Sequence, residues 1–465
     1  MKTSIYRVIF PSRIKVLFAI LLAPVAQGQI AVRNQGYMPF TDPPINYRTT
    51  PVRDPVARLQ QDIEHGTATL TFDSDHGYLR SVLGLLKVPV SSQTLVFSKT
   101  SFQYPKISPE HPRALYFNDD VYVGSVHDGK AIEIISFDSQ QGAIFYLLDE
   151  RKVEHPGFQR AELDCTQCHI ASGTRGVPGV LLRSVYPTSR GTLAVSNKTY
   201  ITDQESPFSQ RWGGWYVTGE NGLGHHLGNA IAEDPQQYGV DPSIASLRWT
   251  PLTKAFAPGD YLFADRSDVV AHLVLAHQTQ MHNLITLTNY KTRQALYSHS
   301  SAAKAATAPN ESPLTEDEQR QIERYSEQLL RYLLFVREAP LAASGGASVG
   351  NGSAFAREFS ARGPRDPKGR SLRDFDLHTR IFRYPCSYLI YSDSFDALPE
   401  PAKTYVYRRL LEVLSDRDRS PEFAAISPAD RRAVLEILLA TKKGLPTEWR
   451  TYADTNHIRV ATADR

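Results

Sequence analysis

ALYFNDDVYVGSVHDGKAIEIISFDSQQGAIFYLL, residues 114–148, holds four apolar runs cut by short polar segments. The runs, 114–117, 121–126, 131–137 and 143–148, are rich in β-branched and aromatic residues. Between them stand Asn118-Asp119-Asp120, His127-Asp128-Gly129 and Ser139-Gln140-Gln141-Gly142, whose Asn, Asp, Ser and Gly content is that of turns. Closely spaced strands with short turns predict an antiparallel meander, with 93–98 as a further strand upstream. The acidic pair Asp119-Asp120 is accounted for by turn composition alone.

Working outward, residues 29–52 are rich in Pro, Asn and Tyr and are expected to run extended over the surface. Asp54-Pro55 opens a helix to about His65, with Asp as N-cap and Pro at the first position. A short strand over 67–72 and a helix over 77–86 complete the approach to the meander. Downstream, the chain to about residue 265 is rich in Gly and Pro and reads as loops and short strands. The second half turns helical. A long helix is expected over 268–296 with Ser267 as its N-cap, and another over 315–338 begins with the capping box Thr315/Glu318. Loose linkers are expected over 298–313 and 342–353, a core-like stretch over 380–391, and helices over 402–415 and 428–441. The fold class is therefore α+β, a β-meander-rich N-terminal half followed by a mainly helical C-terminal half. The expected organisation is a leader over 1–28, a β-rich region over 29–299 and a mainly helical region over 300–465.

The chemistry concentrates in Cys165-Thr166-Gln167-Cys168-His169. Cys-x-x-Cys-His is the spacing at which two cysteines form thioethers to the vinyl groups of one haem, and the following histidine ligates the iron. These five residues resemble the attachment motif of c-type cytochromes. The resemblance implies one covalent haem c with His169 as proximal ligand. It extends no further: small soluble cytochromes c are all-helical, with the motif near the N-terminus, whereas about 135 residues of β-rich chain precede it here. In size the chain is more similar to the bacterial di-haem peroxidases and the rubber oxygenases. Those carry two such motifs and this chain has one, so neither activity is carried over.

Lys2, Arg7, Arg13 and Lys15, an apolar stretch over 16–26 and the small-x-small string Ala26-Gln27-Gly28 read as a secretory signal peptide. The apolar stretch is shorter than the ~20 residues that a membrane span requires, and no later stretch reaches that length. Export agrees with haem attachment outside the cytoplasmic membrane, and a periplasmic location is expected. A net charge of +3 with no long basic run gives no reason to expect nucleic acid or an anionic membrane as partner. Of 3 cysteines, only Cys386 is left outside the motif, and its apolar neighbours predict a buried, inert thiol.

The candidate distal ligands lie on the long helix. His277 and Met281 fall on one apolar stripe, with His272 on another face, and His282 follows Met281 directly. His226, in a glycine-flanked loop, is the rival, and Met38 is the other methionine of the exported chain. Arg175, Arg183 and Arg190 are candidate partners for haem propionates. Trp212 and Trp215 are expected in the core. Two functions fit: electron transfer with a redox partner protein, or a mono-haem oxidoreductase, a peroxidase or oxygenase acting on a small-molecule oxidant at an open distal position.

Overall fold

The apolar runs of the meander resolve into strands β1 (Thr94–Val96), β2 (Arg113–Phe117), β3 (Val121–Ser125), β4 (Ala131–Asp138) and β5 (Gly142–Asp149), each antiparallel to the next. The computed structural model describes residues 39–458, apart from 195–197, 220–222, 224, 233–251, 253–254, 265, 306–312 and 342–351. The expected leader over 1–28, Met38, Gly224 and parts of both expected linkers lie outside the described residues. Two short strands extend the sheet at its edges: β6 (Gln159–Arg160) beside β5, and β9 (Trp215–Tyr216) beside β1. The order is β6-β5-β4-β3-β2-β1-β9, and β7 (Arg183–Ser184) with β8 (Tyr200–Ile201) forms a separate pair. No helix among the described residues is long and apolar enough to cross a membrane.

Period-two alternation explains why the strand sequences are apolar almost throughout. Leu95, Tyr116, Val123, Ile134 and Tyr146 join one buried cluster, while Val96, Phe117, Tyr122, Phe137 and Phe145 join another. Both faces of the sheet are covered, so neither face needs polar side chains. The first face carries helices α1 (Pro55–Glu64) and α2 (Leu79–Leu85). Asp54 caps α1 as expected, its Oδ1 accepting from the amides of Val56 (3.0 Å) and Ala57 (3.2 Å).

Chain continues from the meander's last edge strand into helix α3 (Glu162–His169), and the second sheet face is covered by the long helix α4 (Val269–Ala305). Against α4 packs α5 (Glu316–Leu333), which opens with the expected Thr315/Glu318 capping box. The remaining helices are α6 (Ala354–Ala361), α7 (Asp393–Asp396), α8 (Glu400–Leu414), α9 (Pro428–Thr441) and α10 (Thr447–Thr455). The architecture is α+β, with the antiparallel sheet in the N-terminal half and helices in the C-terminal half.

Several local expectations fail for identifiable reasons. Residues 67–72 form no strand, because no neighbouring strand pairs with them; Phe72 is exposed, and the chain turns through an Asp73–Gly77 bridge. The segment near residue 45 does not run over the surface: Ile45 and Tyr47 are fully buried, and the Tyr47 hydroxyl donates to Ala143 O at 2.6 Å. Asp268, not Ser267, caps α4, with Oδ1 accepting from Val270 N (2.8 Å) and Ala271 N (3.1 Å). Ser267 is taken by tertiary structure instead, its Oγ donating to Tyr216 O (2.6 Å) and accepting from Leu95 N (2.9 Å). The expected linker begins as helix: α4 continues to Ala305, where Ala and Lys favour helix and His299 Nδ1 meets Glu318 Oε2 at 3.0 Å.

Candidate functional site

Helix α3 carries the whole Cys-x-x-Cys-His string, which gives the motif its geometry. In a helix, positions three and four apart share a face, so Cys165, Cys168 and His169 line one side of α3. The helix is placed from its N-terminal end by the sheet. Arg160 of β6 pairs with Tyr146, Ala161 N donates to Phe145 O at 2.9 Å, and Arg48 holds Glu162 in a 2.6 Å ion pair. Cys165 is half-buried, packed at the edge of the larger core cluster, whereas Cys168 is exposed and Leu163 is 65% exposed.

His169 ends the helix and is fixed by the loop that follows. Its Nδ1 donates to Gly179 O at 2.9 Å, while Gly179 N donates back to His169 O at 3.1 Å. That bond assigns the ring proton to Nδ1, and Nε2 has no hydrogen bond among the described residues. The ring rests on Phe145 at 5.1 Å, and burial holds its pKa below the usual histidine range, keeping the imidazole neutral.

The loop is itself clamped to α4. Asn283 Oδ1 accepts from Val180 N (3.0 Å), and its Nδ2 donates to Val180 O (2.7 Å). Gln280 reaches Gly173 O (2.8 Å) and accepts from Arg175 Nε (3.2 Å). A Cβ at Gly179 would stand 2.1 Å from Asn283 Oδ1, so only glycine lets the carbonyl approach His169 from beneath the clamp. The sequence did not single out Gly179 or Asn283.

The other residues marked in the sequence fall in different places. Both ring nitrogens of the fully buried His277 are engaged, Nδ1 with Gln204 Oε1 (2.6 Å) and Nε2 with Ser387 Oγ (2.8 Å). Its ring stacks on Tyr332 and Phe335 at the end of α5, and burial lowers its pKa to about 3. As placed, His277 serves the core and offers no lone pair to an iron. Met281 is fully buried in the same cluster. His272 Nε2 meets Tyr216 O (2.9 Å) and Ser267 Oγ (3.0 Å), and His282 Nε2 donates to Asp119 O (2.7 Å). His226 is buried against Trp212, with Nδ1 accepting from Gly228 N at 3.0 Å. None of these contacts involves a residue of α3. Trp212 and Trp215 are buried, as expected.

Among the arginines, Arg175 is engaged with Gln280, Arg183 lies in β7 and Arg190 is exposed. An arginine the sequence passed over is closer in its effect. Behind the larger effect of burial, the charge of Arg113 of β2 lowers the basicity of His169 while its ion-pair partner Glu133 raises it, and Arg113 Nε is buried without an acceptor among the described residues. Its position in the sheet, opposite Val96 of β1, comes from strand register, which no local pattern around residue 113 reveals. Cys386 is fully buried, and burial pushes its thiol well above the usual range.

Comparisons with protein-family models, with curated proteins and with solved structures find no match for this chain.

Proposed function

We propose that this chain is an exported c-type cytochrome that carries one covalent haem on Cys165, Cys168 and His169 and acts in periplasmic electron transfer. The observation that carries it is the His169 ring: Nδ1 is committed to Gly179 O, and Nε2 stands without a hydrogen bond among the described residues. That is how a protein orients a neutral imidazole toward a metal. Two further features fit the group. The cysteines share a helical face with the histidine, and the buried Arg113 Nε lacks an acceptor that a haem propionate would supply. A bound haem supplies a one-electron couple at its iron. The chain's part is to hold the ring of His169, to fix its tautomer through Gly179 and to keep it neutral by burial. The exposure of Cys168 and Leu163 sets the attachment helix at the surface, within reach of a redox partner protein. The charged, apolar leader supports export.

A second reading, a mono-haem oxidoreductase with an open distal position, is favoured by one observation. The histidines of α4 are engaged by the protein: His272, His277 and His282 each hydrogen-bond within the core, and only Nδ1 of His282 is buried without a hydrogen-bond partner among the described residues. The deciding test has two parts. A Cys165→Ala/Cys168→Ala variant is expected to lose haem staining on a denaturing gel, and retained staining refutes covalent attachment through these residues. The ferric and ferrous spectra, with and without CO or peroxide, separate the two readings. A low-spin spectrum indifferent to small ligands supports the carrier, and a high-spin spectrum or rapid ligand binding supports the oxidoreductase.

A further inference from the structure

At one rim of the sheet, far in sequence from the attachment motif, three side chains from separate segments converge. His111 precedes β2, His127 lies in the turn between β3 and β4, and Asp260 closes the turn Pro258–Asp260. One ligand atom from each lies within 4.8 Å of the others. We propose that His111, His127 and Asp260 form a binding site for a divalent transition-metal cation, with zinc as its simplest probe.

The donor set points to that class of ion. Two imidazole nitrogens and one carboxylate oxygen suit borderline cations such as zinc, copper and nickel, whereas calcium and magnesium select oxygen. The state of the nitrogens agrees. In the core, the rings of His169, His272, His277 and His282 each hold a hydrogen bond of 3.0 Å or less. Here His127 Nδ1 stands 3.9 Å from Asp260 Oδ2, and Nε2 stands 3.9 Å from Asp128 Oδ2, both too long for hydrogen bonds. The rings of His111 and His127 lie parallel, 8° apart, with centroids at 5.3 Å. Among the described residues neither ring makes a hydrogen bond.

The backbone beneath the site is built without a metal. Tyr216 and Tyr261 donate their hydroxyls to Pro109 O and Pro112 O, both at 2.9 Å, pinning the chain on either side of His111. Gly129 N donates to Val126 O at 2.8 Å and closes the turn that presents His127. Asp128 in that turn has φ +53° and is exposed, and its carboxylate lies beside Nε2 of His127, the ring nitrogen opposite the one that faces Asp260. Around a zinc ion with bonds of about 2.1 Å, tetrahedral ligand atoms stand ~3.4 Å apart. Side-chain rotation closes the remaining ångström or so, since His111 is exposed and the other two are half-buried.

The test is calorimetric titration of chelator-treated, purified full-length protein with zinc, and with magnesium for comparison. One equivalent of zinc and no magnesium is expected to bind. His111→Ala, His127→Ala and Asp260→Asn are each expected to weaken zinc binding by at least about tenfold, since even the loss of a group that only orients a ligand costs about 10–100-fold. His155→Ala, at a histidine 91% exposed elsewhere, is expected to change nothing. Because thiolates also ligate zinc, the titration is repeated with Cys165→Ala/Cys168→Ala, where the same stoichiometry is expected. That background separates this site from the haem reading, since it carries no attachment cysteines. Zinc is also expected to raise the unfolding temperature of the wild type but not of His111→Ala, an exposed position whose loss leaves the fold intact. No zinc uptake, or affinity within tenfold of wild type in either histidine variant, overturns the proposal.

Discussion

Gly179→Ala tests the connection between the motif and the long helix. Gly179 does not sit in the left-handed backbone region, so alanine meets no conformational barrier there and any cost is steric. Its Cβ would stand 2.1 Å from Asn283 Oδ1, 2.9 Å from Asn283 Cγ and 3.2 Å from Thr174 Cβ. The fully buried Asn283 must move and give up both bonds to Val180. Two lost hydrogen bonds cost about 1 kcal/mol each. Crowding in a packed interior adds ~1–3 kcal/mol. The sum is about 3–5 kcal/mol, a large share of the ~5–15 kcal/mol by which domains are stable. Urea unfolding of the purified protein measures it. Asn283→Ala alone leaves the Val180 amide and carbonyl unsatisfied, at ~2–6 kcal/mol for the two groups. With the clash partner gone, the double variant is expected to cost about as much as Asn283→Ala alone. A cost below about 1 kcal/mol for Gly179→Ala, or single-variant effects that add within ~0.5 kcal/mol, would refute the clamp.

Three further outcomes are expected. The proposed haem attachment would take up Cys165 and Cys168 as thioethers, and Cys386 is buried with a raised pKa, so on that proposal the native protein should show no reactive thiol and the denatured protein one; three thiols after denaturation would contradict haem attachment. On the haem proposal, His277→Gln should leave the spectrum of the proposed haem unchanged, because both ring nitrogens are held by Gln204 and Ser387; a shifted spectrum would place His277 on the iron. Acidification engages two opposed sets of groups. Burial lowers His272 and His277 to about 3 and His226 and His282 to about 4, so their contribution is full above the unfolded value of ~6.5 and is lost as pH falls below it. Burial raises Asp120, Glu150, Glu205 and Glu338 to about 7, so the cost of ionising them in the fold is relieved over the same interval. Stability is therefore expected to vary little between about pH 6.5 and 4.5. His277→Gln should tilt the profile by ~1.4 kcal/mol per pH unit toward greater stability in acid, read by urea unfolding at stepped pH. An unchanged slope would mean that His277 is not held neutral.

By itself, the sequence determined what depends on neighbours along the chain. Apolar runs rich in β-branched and aromatic residues, cut by Asn-, Asp- and Gly-bearing turns, placed β2 to β5 within a residue or two, because strand preference and turn chemistry are local. Asp54-Pro55 and Thr315/Glu318 marked helix starts for the same reason, since a cap is satisfied within four residues. The Cys-x-x-Cys-His string was legible because helical spacing alone puts its three side chains on one face. Tertiary structure decided which polar groups would be spent on packing. Ser267 looks like a cap until Leu95 and Tyr216 claim its hydroxyl, and His277 looks like a ligand until Gln204 and Ser387 take both nitrogens. Arg113, Gly179, Asn283 and the His111–His127–Asp260 group acquire meaning from partners far along the chain. A hydrogen bond or a ligand set depends on distance in space, and distance between remote segments is fixed only when strand register and helix packing are complete.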